Sequence, residues 1–345
     1  MIATRSTMAP ELPIAATRPR STKAPPLMLY GVLVLVFGFG LYTCVAVAAF
    51  IAALITPSAG WSVPLMRDIG LIIVAGLALI AIELKFLLPC KRSDRRVPHD
   101  PVPNTQLTVV LTAYNDEASI GDAVADFLAH AAVRRVLVVD NHSADRTSEF
   151  ATAAGATVIR EDVRGYGNCV HRGLSEAVRY TDTDLVMLCE GDLTFRAFDI
   201  VKFLAYIPHA DIVNGTRIVE QLRDRDTQLS TFMYYGNFAV GKLLELKHIG
   251  QGTFTDVGTT YKLGRRRALE LLLPHLDRQV NLEFNAHFLD TALELGIDLV
   301  ECPVTFYARV GLSKGGNVNN ARAMKVGLRM IVGMLASWRL VAETR

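Results

Sequence analysis

The sequence predicts an α/β fold, a doubly wound parallel sheet preceded by a two-helix transmembrane hairpin. Two observations support this prediction. From Leu107 onward, short apolar segments alternate with helical segments, which is the pattern of a parallel sheet covered by helices on both faces. Before Leu107 there are two long apolar segments. Each is long enough to cross a bilayer as a helix, which needs ~20 residues.

The composition agrees with a membrane-attached protein. The chain has 345 residues, 51% of them hydrophobic, and a mean hydropathy of +0.28. Its net charge of +2 is too small to indicate a nucleic-acid partner. The five cysteines are scattered and form no C-x-x-C pair, so they support neither a zinc site nor a disulfide framework. This fits a reducing, cytosolic location for the main domain.

The first part of the chain predicts a tail and two membrane helices. Residues 1–26 are basic, rich in Pro, Thr and Ala, and predicted to be disordered. Residues 27–55 carry no charge and are longer than the apolar core of a signal peptide, so they predict a transmembrane helix. Residues 69–88 predict a second one, although Glu83 and Lys85 lie in its last turns. The alternative for this second segment is a re-entrant or interfacial position.

Basic residues on both sides of the hairpin predict its orientation. Four of the residues 91–96 are basic and the N-terminal tail is basic, whereas the loop between the helices has only Arg67. The positive-inside rule therefore places the N-terminus and the main domain in the cytosol. Residues 89–106 are the predicted linker, and the three prolines of its part 97–105 make it stiff.

The main domain is predicted over residues 107–320, with strands and helices in alternation. The predicted strands are 107–113, 135–140, 157–160, 185–189, 211–215 and 298–304. The predicted helices are 117–131, 144–154, 168–180, 197–207, 227–247, 265–273 and 282–295. Loop and strand are expected over 250–263, and a loop over 309–321.

The last segment, 321–345, predicts a basic amphipathic helix over 321–340. Its apolar stripe comprises Met324, Leu328, Ile331, Leu335 and Trp338. The stripe can lie on a membrane surface or pack on the main domain. The sequence leaves both placements open.

Polar residues follow four predicted strands, at the edge where open α/β sheets bind their ligands. The segment 185–188 is a short apolar strand that ends in Glu190, Gly191 and Asp192. Two carboxylates beside a glycine can hold a hard divalent cation, which in turn can hold phosphates. The alternative is a solvated acidic turn. The other clusters at this edge are 114–117, 140–145 and 214–217, whose Asn and Ser residues can also be simple helix caps.

Gly165 and Gly167 form a glycine loop before a predicted helix, where a backbone can approach a phosphate. Their spacing is that of neither a dinucleotide fingerprint nor a P-loop.

In order and spacing, seven motifs resemble those of the family 2 glycosyltransferases. The motifs are VVLTAYNDEASI, VLVVDNHSADRT, GYGNCVHRGL, LCEGDLTF, NGTR, TDVGTTYKLGRR and RVGLSK. The resemblance spans residues 107–314 and is nearest to polyprenyl-phosphate sugar synthases such as dolichol-phosphate mannose synthase. It implies the GT-A fold, with a mixed, mainly parallel sheet, and inversion at the sugar carbon.

The resemblance also implies site residues. A nucleotide-sugar pocket is implied for Ala113, Tyr114, Asn115, Glu117, Asp140, Asn141, Gly165, Gly167, Glu190 and Gly191. Asp140 is implied to contact the base or ribose, and Asn141 stands where many relatives have a second Asp. Glu190 and Asp192 stand at the D-x-D position and are implied to hold Mg²⁺ or Mn²⁺ against the diphosphate, with Glu in place of the first Asp.

Catalytic roles are implied for Asp192, Asp256 and Arg217, with Asp256 as a base or a second metal partner. An acceptor phosphate, being already an anion, needs a cationic cradle rather than a strong base, and arginine suits phosphate as a bidentate donor. The candidates for that cradle are Arg217, Arg309, Ser313 and Lys314.

The expected function is inverting, metal-dependent, non-processive transfer of one sugar from a UDP- or GDP-linked donor to a polyprenyl phosphate at the cytosolic membrane face. An alternative acceptor is a hydroxyl of a glycolipid or polysaccharide, with Asp256 or Glu283 as base. Another alternative is a catalytically silent nucleotide-binding membrane module, which Glu190 at the D-x-D position suggests. The apolar surfaces leave room for a homo-oligomer, and the sequence does not identify the sugar.

Overall fold

The computed structural model describes residues 25–55, 60–92, 97–311 and 320–343 of the chain. The predicted disordered tail therefore lies outside the described residues except for its last two positions. The same holds for Ser313 and Lys314 of the predicted phosphate cradle.

Within the described residues, seven strands and twelve α-helices are formed. The strands are β1 (Leu107–Ala113), β2 (Val133–Asp140), β3 (Thr157–Arg160), β4 (Leu185–Glu190), β5 (Ile212–Thr216), β6 (Lys262–Arg265) and β7 (Leu299–Pro303). The helices are α1 (Leu27–Ile55), α2 (Ser62–Ile82), α3 (Leu88–Arg92), α4 (Ile120–Leu128), α5 (Thr147–Ala153), α6 (Tyr166–Ala177), α7 (Ile200–Tyr206), α8 (Thr231–Lys247), α9 (Arg266–Leu272), α10 (Phe284–Glu294), α11 (Asn320–Leu335) and α12 (Trp338–Glu343).

The helices α1 and α2 pack against each other as a hairpin. Gly31 of α1 lies against the backbone of Gly76 in α2, where a side chain on either residue would collide with the neighbouring helix. In the part of the chain that the structure describes, Leu27–Ile55 and Ser62–Arg92 are the two helical segments long and apolar enough to cross a membrane. This finding rests on length and composition.

The second hairpin helix is longer than the sequence predicts. It begins at Ser62 rather than at residue 69, so the loop between the two predicted helices is shorter than expected. Pro64 did not stop the helix, because a proline in the first turn removes an N–H that has no acceptor within the helix. At its other end the helix continues through a π-helical turn, Glu83–Leu87, into α3.

Residues 89–92 of the predicted linker belong to α3 and continue the hairpin helix, whereas residues 97–106 lie on the main domain. In residues 97–106, the amide of Asp100 donates to the carbonyl of Pro208 at 2.7 Å. The Asp100 carboxylate pairs with Arg267 at 2.8 Å. These contacts attach the hairpin side of the chain to the sheet domain.

The sheet is mixed and mainly parallel, in the order β3-β2-β1-β4-β6-β5-β7. Only β6, among the described strands, runs antiparallel to its neighbours β4 and β5. The predicted fold class is therefore confirmed, with one reversed strand that simple βα alternation does not predict. The register pairs Ala113 with Asp140 and Thr112 with Glu190, so the carboxyl ends of β1, β2 and β4 meet at one edge.

Helices cover both faces of the sheet, and the strand pattern follows from that. All seven residues of β1 are buried. Val109 and Leu111 point to one apolar layer, with Phe127 of α4, and Val110 points to the other, with Leu174 of α6. A strand buried on both faces is a nearly continuous apolar run, as the sequence shows.

The C-terminal segment forms two helices rather than the single predicted helix. The helix is interrupted between α11 and α12, where the backbone amide of Arg339 donates to the Ser337 hydroxyl at 3.2 Å. Trp338 is buried, and its indole N–H donates to the buried carboxylate of Asp290 at 2.7 Å.

The predicted apolar stripe of α11 is only partly right. Met330 and Met334 pack on the main domain, whereas Met324, Leu328 and Leu335 are exposed. The helix is therefore apolar on two sides: one face packs on the main domain, and another faces outward.

Candidate active site

A cavity of about 540 Å³ opens at the carboxyl edge of the sheet. One end is charged and is formed at the ends of β1, β4 and β5. The other end is mainly apolar and lies between α8 and α11. The charged and polar lining includes Tyr114, Asp116, Asn141, Arg164, Glu190, Asp192, Arg217, Asn285 and Arg309. The sequence prediction that these strand ends form one cleft agrees with this geometry.

The loop after β1 is tied to the loop after β2. Asn115 has a positive φ of 52°, its amide donates to the Ser143 hydroxyl at 2.9 Å, and its side chain accepts from the amide of Ala144 at 2.7 Å. Glu117 likewise accepts from the amide of Arg146 at 3.0 Å. Asn115 and Glu117 therefore shape the rim and do not line the cavity.

Asp116 is not among the site residues predicted from the sequence, yet it lines the cavity with Ala113 and Tyr114. The amide of Tyr114 donates to the Asp116 carboxylate at 2.9 Å, and the amide of Asp116 donates to the Thr147 hydroxyl at 2.8 Å. The only sequence signal for it is its position in the polar cluster after β1.

Asp140 and Asn141 have different environments, although they are adjacent. The carboxylate of Asp140 accepts from the amide of Ser143 and from the hydroxyl of Ser148, and it does not line the cavity. The side-chain amide nitrogen of Asn141 donates to the backbone carbonyls of Glu161 and Val163 at 3.2 and 2.9 Å.

The carbonyl of the same Asn141 side chain accepts from the amide of Gly165 at 2.8 Å. An aspartate at this position could not donate to the two carbonyls. Asn141 therefore holds the glycine loop in place.

The two glycines of this loop serve different purposes. Gly165 lines the cavity and has a φ of 133°, a conformation that favours glycine. Gly167 does not line the cavity. A Cβ on it would lie 1.9 Å from the carbonyl oxygen of Val280, so it allows α6 to approach that loop. Gly191 is also constrained by packing, against Ile120.

Glu190 and Asp192 lie at the charged end of the cavity. Glu190 accepts from the Thr260 hydroxyl at 2.9 Å. Desolvation and the nearby Asp192 carboxylate raise the pKa of Glu190 to about 7, although Arg309 opposes the shift. Asp192 is 1% exposed, and its Oδ1 accepts from the amide and hydroxyl of Thr194.

The other oxygen of Asp192, Oδ2, is buried and has no hydrogen-bond partner. An orphaned anionic oxygen beside a second carboxylate fits a hard divalent cation. In the described residues, no group of three or more His, Cys, Asp or Glu side chains is arranged to hold a metal ion. A cation held by Glu190 and Asp192 would therefore need further oxygens from a bound ligand or from water.

Arg309 lies directly against this pair of carboxylates. Its Nε is 3.3 Å from Asp192 Oδ2, and its terminal nitrogen is 3.6 Å from Asp116 Oδ1. The side chain is 15% exposed. The structure therefore places Arg309 at the proposed cation site, as well as in the cavity where a phosphate cradle was predicted.

Arg217 and Asp256 form a buried, two-point ion pair. The Nε and one terminal nitrogen of Arg217 each donate to the carboxylate at 2.7 Å, and the Arg217 amide adds a third bond at 3.1 Å. Burial alone would raise the pKa of Asp256, but the guanidinium and these bonds hold it below its usual value. Asp256 is thus a weak base that fixes Arg217 in the cavity wall.

Lys262 is a buried cation that the sequence analysis missed. It is 2% exposed and donates to the carbonyl of Thr259 and to Asn285 Oδ1. Asn285 in turn donates to the carbonyl of Gly258 at 3.2 Å, and Thr260 of the same turn holds Glu190. The motif TDVGTTYKLGRR contains this lysine but gives no sign of its burial.

The model of the glycosyl transferase family 2 matches residues 108–273. A dolichyl-phosphate hexose transferase of Haloferax volcanii is 29% identical over 209 residues, which cover 60% of this chain and 86% of the relative. Protein RfbJ of Shigella flexneri is 30% identical over 113 residues, covering 32% of this chain and 84% of the relative.

Among solved structures, glucosyl-3-phosphoglycerate synthase of Mycobacterium tuberculosis, in complex with Mn²⁺, UDP and glucosyl-3-phosphoglycerate, is 17% identical. It aligns over 72% of this chain and 82% of that chain, with a TM-score of 0.46.

The chain belongs to glycosyltransferase family 2. It is a glycosyltransferase, and its mixed, mainly parallel sheet is the GT-A architecture.

The buried ammonium of Lys262 predicts a pH-dependent stability difference. Desolvation lowers the pKa of Lys262 to about 7 in the folded protein, against 10.5 for the ordinary side chain. Below pH 7 the buried charge lowers the free energy of unfolding. The penalty fades as pH rises from 7 towards 10.5, because only the unfolded chain then keeps the proton.

We therefore expect Lys262→Met to unfold at a higher temperature than the wild type at pH 6 to 7, with a difference that narrows by pH 9. Thermal unfolding of the full chain in detergent measures this. Lys242→Met, at a partly exposed lysine of α8, is the matched control. A Lys262→Met difference that stays constant over this pH range would contradict the prediction.

Proposed function

We propose that this enzyme transfers one sugar from a nucleotide-sugar donor to a polyprenyl phosphate at the cytosolic face of a membrane, with inversion and with Mg²⁺ or Mn²⁺. The observation that carries the proposal is the single cavity with a charged end and an apolar end. Such a cavity fits an acceptor that has an anionic head and a long hydrocarbon chain.

The charged end supports donor binding. Glu190 and Asp192 are the residues that would hold the cation, since Asp192 offers a buried oxygen without a hydrogen bond. A bound Mg²⁺ or Mn²⁺ would neutralise the charge that develops on the diphosphate leaving group. The rim residues and the loop held by Asn141 would enclose the nucleotide.

The state of the candidate bases favours a phosphate acceptor. A hydroxyl acceptor needs a carboxylate that can take a proton. Asp256 is occupied by Arg217, and its lowered pKa makes it a weak base. Glu283, the other candidate, is 4% exposed and pairs with Arg329 of α11 at 3.0 Å. A phosphate oxygen is already ionised, so a phosphate acceptor needs neither carboxylate as a base.

Arginines line the same end of the cavity. Arg217 is fixed in the wall by Asp256, and Arg309 reaches the carboxylates from the segment after β7. Both guanidinium groups can stabilise a phosphate through charge-assisted hydrogen bonds. Ser313 and Lys314 follow in the sequence and remain candidates for the same role.

The apolar end supports a lipid chain. It is lined by Phe232, Met233 and Val240 of α8 and by Val326 and Leu328 of α11, among others. Gly236 and Gly327 also line it, and the space beside each of them is open. An isoprenoid chain would bury its methyl groups against these side chains at about 25 cal/mol per Å² of apolar surface.

One of these two helices packs against the hairpin, and both expose apolar side chains. Helix α8 packs against α1, and it exposes Tyr235 and Phe238. Helix α11 exposes Met324, Leu328 and Val332. These apolar faces would lie in the interfacial layer of a membrane that the hairpin crosses, so that a lipid acceptor enters the cavity without passing through water.

The name of the Haloferax relative, a dolichyl-phosphate hexose transferase, supports the same acceptor class.

A product assay with Asp192→Asn tests the proposed reaction. Full-length enzyme in lipid, given Mn²⁺, undecaprenyl phosphate and a panel of UDP- and GDP-sugars, should yield one glycosyl-phosphoryl-lipid by mass spectrometry. Asp192→Asn removes the anionic oxygen and should lower kcat by about 10²-fold or more.

The matched control is Asp182→Asn, at an exposed aspartate that precedes β4 at the opposite edge of the sheet. It should retain wild-type turnover. A sugar transferred to a hydroxyl, with no phosphoryl-lipid product for any donor, would exclude the proposed acceptor.

Filling the apolar end tests the path of the lipid chain. Gly327→Leu adds a side chain into open space, and leucine favours a helix by roughly 1 kcal/mol over glycine, so folding should not suffer. We expect the KM for undecaprenyl phosphate to rise by about tenfold or more, the loss of ~1.4 kcal/mol of binding.

The KM for citronellyl phosphate, whose chain is short, should stay close to the wild-type value. Gly327→Ala, the smaller change, should fall between wild type and Gly327→Leu. Equal effects on the long and short acceptors would mean that the chain does not pass Gly327.

A further inference from the structure

The position of Arg309 bears on the order in which ligands bind. Its guanidinium contacts Asp192 Oδ2, an oxygen of the proposed cation site, at 3.3 Å, and Asp116 Oδ1 at 3.6 Å. A divalent cation bound by the D-x-D carboxylates would need the oxygen that Arg309 now neutralises. The cation and the guanidinium therefore have one binding partner in common.

The ion pair between Arg309 and Asp192 satisfies charge but not hydrogen bonding. Both Arg309 Nε and Asp192 Oδ2 are buried, and neither makes a hydrogen bond. A buried charged group without a hydrogen bond keeps part of its desolvation penalty. The contact is therefore weaker than the aligned, two-point pair of Arg217 with Asp256, and a cation can displace it.

The backbone beside Arg309 is fixed while the side chain is long. The amide of Val310 donates to the carbonyl of Asp192 at 3.2 Å, and the amide of Tyr307 donates to the carbonyl of Thr194 at 2.9 Å. These two bonds attach the segment after β7 to the D-x-D loop. A guanidinium displaced from Asp192 would therefore stay within the cavity and change only its side-chain direction.

We propose that Arg309, which pairs with Asp192 and Asp116, competes with the divalent cation for Asp192, and that its displacement by the cation makes it available to bind the acceptor phosphate. The second half of this proposal rests on the proposed function, and the first half does not. The same side chain then has two anionic partners in turn, a carboxylate before the cation binds and a phosphate afterwards.

This exchange links the two binding sites thermodynamically. If cation binding raises the affinity for the acceptor phosphate, then the acceptor phosphate must raise the affinity for the cation by the same factor. The enzyme would bind the acceptor weakly until the cation is present. That order keeps the lipid phosphate from occupying the cavity when the diphosphate cannot be neutralised.

Calorimetric titration with Mn²⁺ tests the competition, on the full chain in detergent and without nucleotide or acceptor. Arg309→Gln removes the competing charge and should bind Mn²⁺ about tenfold more tightly than the wild type. Arg309→Lys keeps the charge and should lie nearer the wild type.

Arg179→Gln is the matched control, because Arg179 is an exposed arginine that pairs with Glu176 and does not line the cavity. Its Mn²⁺ affinity should equal that of the wild type. An unchanged or weaker Mn²⁺ affinity in Arg309→Gln would overturn the competition. Thermal unfolding of each variant shows whether it is folded under the titration conditions.

Titration with citronellyl phosphate tests the second half. The wild type should bind it several-fold more tightly with Mn²⁺ and UDP than with UDP alone, and Arg309→Gln should lose this enhancement. Binding that is independent of Mn²⁺ in the wild type would overturn the coupling. If Mn²⁺ binds more tightly to Arg309→Gln but no phosphoryl-lipid forms with any donor, the proposed function fails while the competition stands.

Discussion

The structure depends on negative charge held at the desolvated end of β4. Glu190 and Asp192 lie there with Asp116, and one oxygen of Asp192 is buried without a hydrogen bond. Several features respond to this charge. The pKa of Glu190 is raised, Arg309 lies against Asp192, and a turn organised by Lys262 supplies the hydroxyl that holds Glu190. A site of this kind is costly without a cation and suited to binding one.

The cavity connects this charge to an apolar surface. That connection indicates a class of acceptor, which family membership alone does not. A family 2 glycosyltransferase can act on many acceptors. In this chain both candidate bases are committed, Asp256 to Arg217 and Glu283 to Arg329, while arginines line the cavity. The path between α11 and α8, the helix that packs against α1, then supplies a place for a hydrocarbon chain. The proposed anionic lipid acceptor would account for all of these features together.

The sequence was sufficient for the order of the strands along the chain and for the edge at which polar groups gather, because buried strands are short apolar runs with turn residues after them. It did not predict the reversed strand β6, whose direction depends on pairing with β4 and β5. Nor could it show that Asn141 holds the glycine loop or that Arg217 binds Asp256, since such contacts join distant residues. The prediction for the apolar stripe of the C-terminal helix was partly wrong, because the sequence of a helix that is apolar on two sides does not indicate which side packs on the domain.

The most direct test of the account is photo-cross-linking with a polyprenyl phosphate that carries a diazirine in its second or third isoprene unit. Full-length protein in lipid, with Mn²⁺ and UDP, would be irradiated, digested and analysed by mass spectrometry. The account predicts labelled residues within Thr231–Lys247 and Asn320–Leu335, and competition by unlabelled undecaprenyl phosphate. Labelling confined to α1 and α2, with none on α8 or α11, would contradict the claim that one cavity brings the lipid phosphate to the sugar donor.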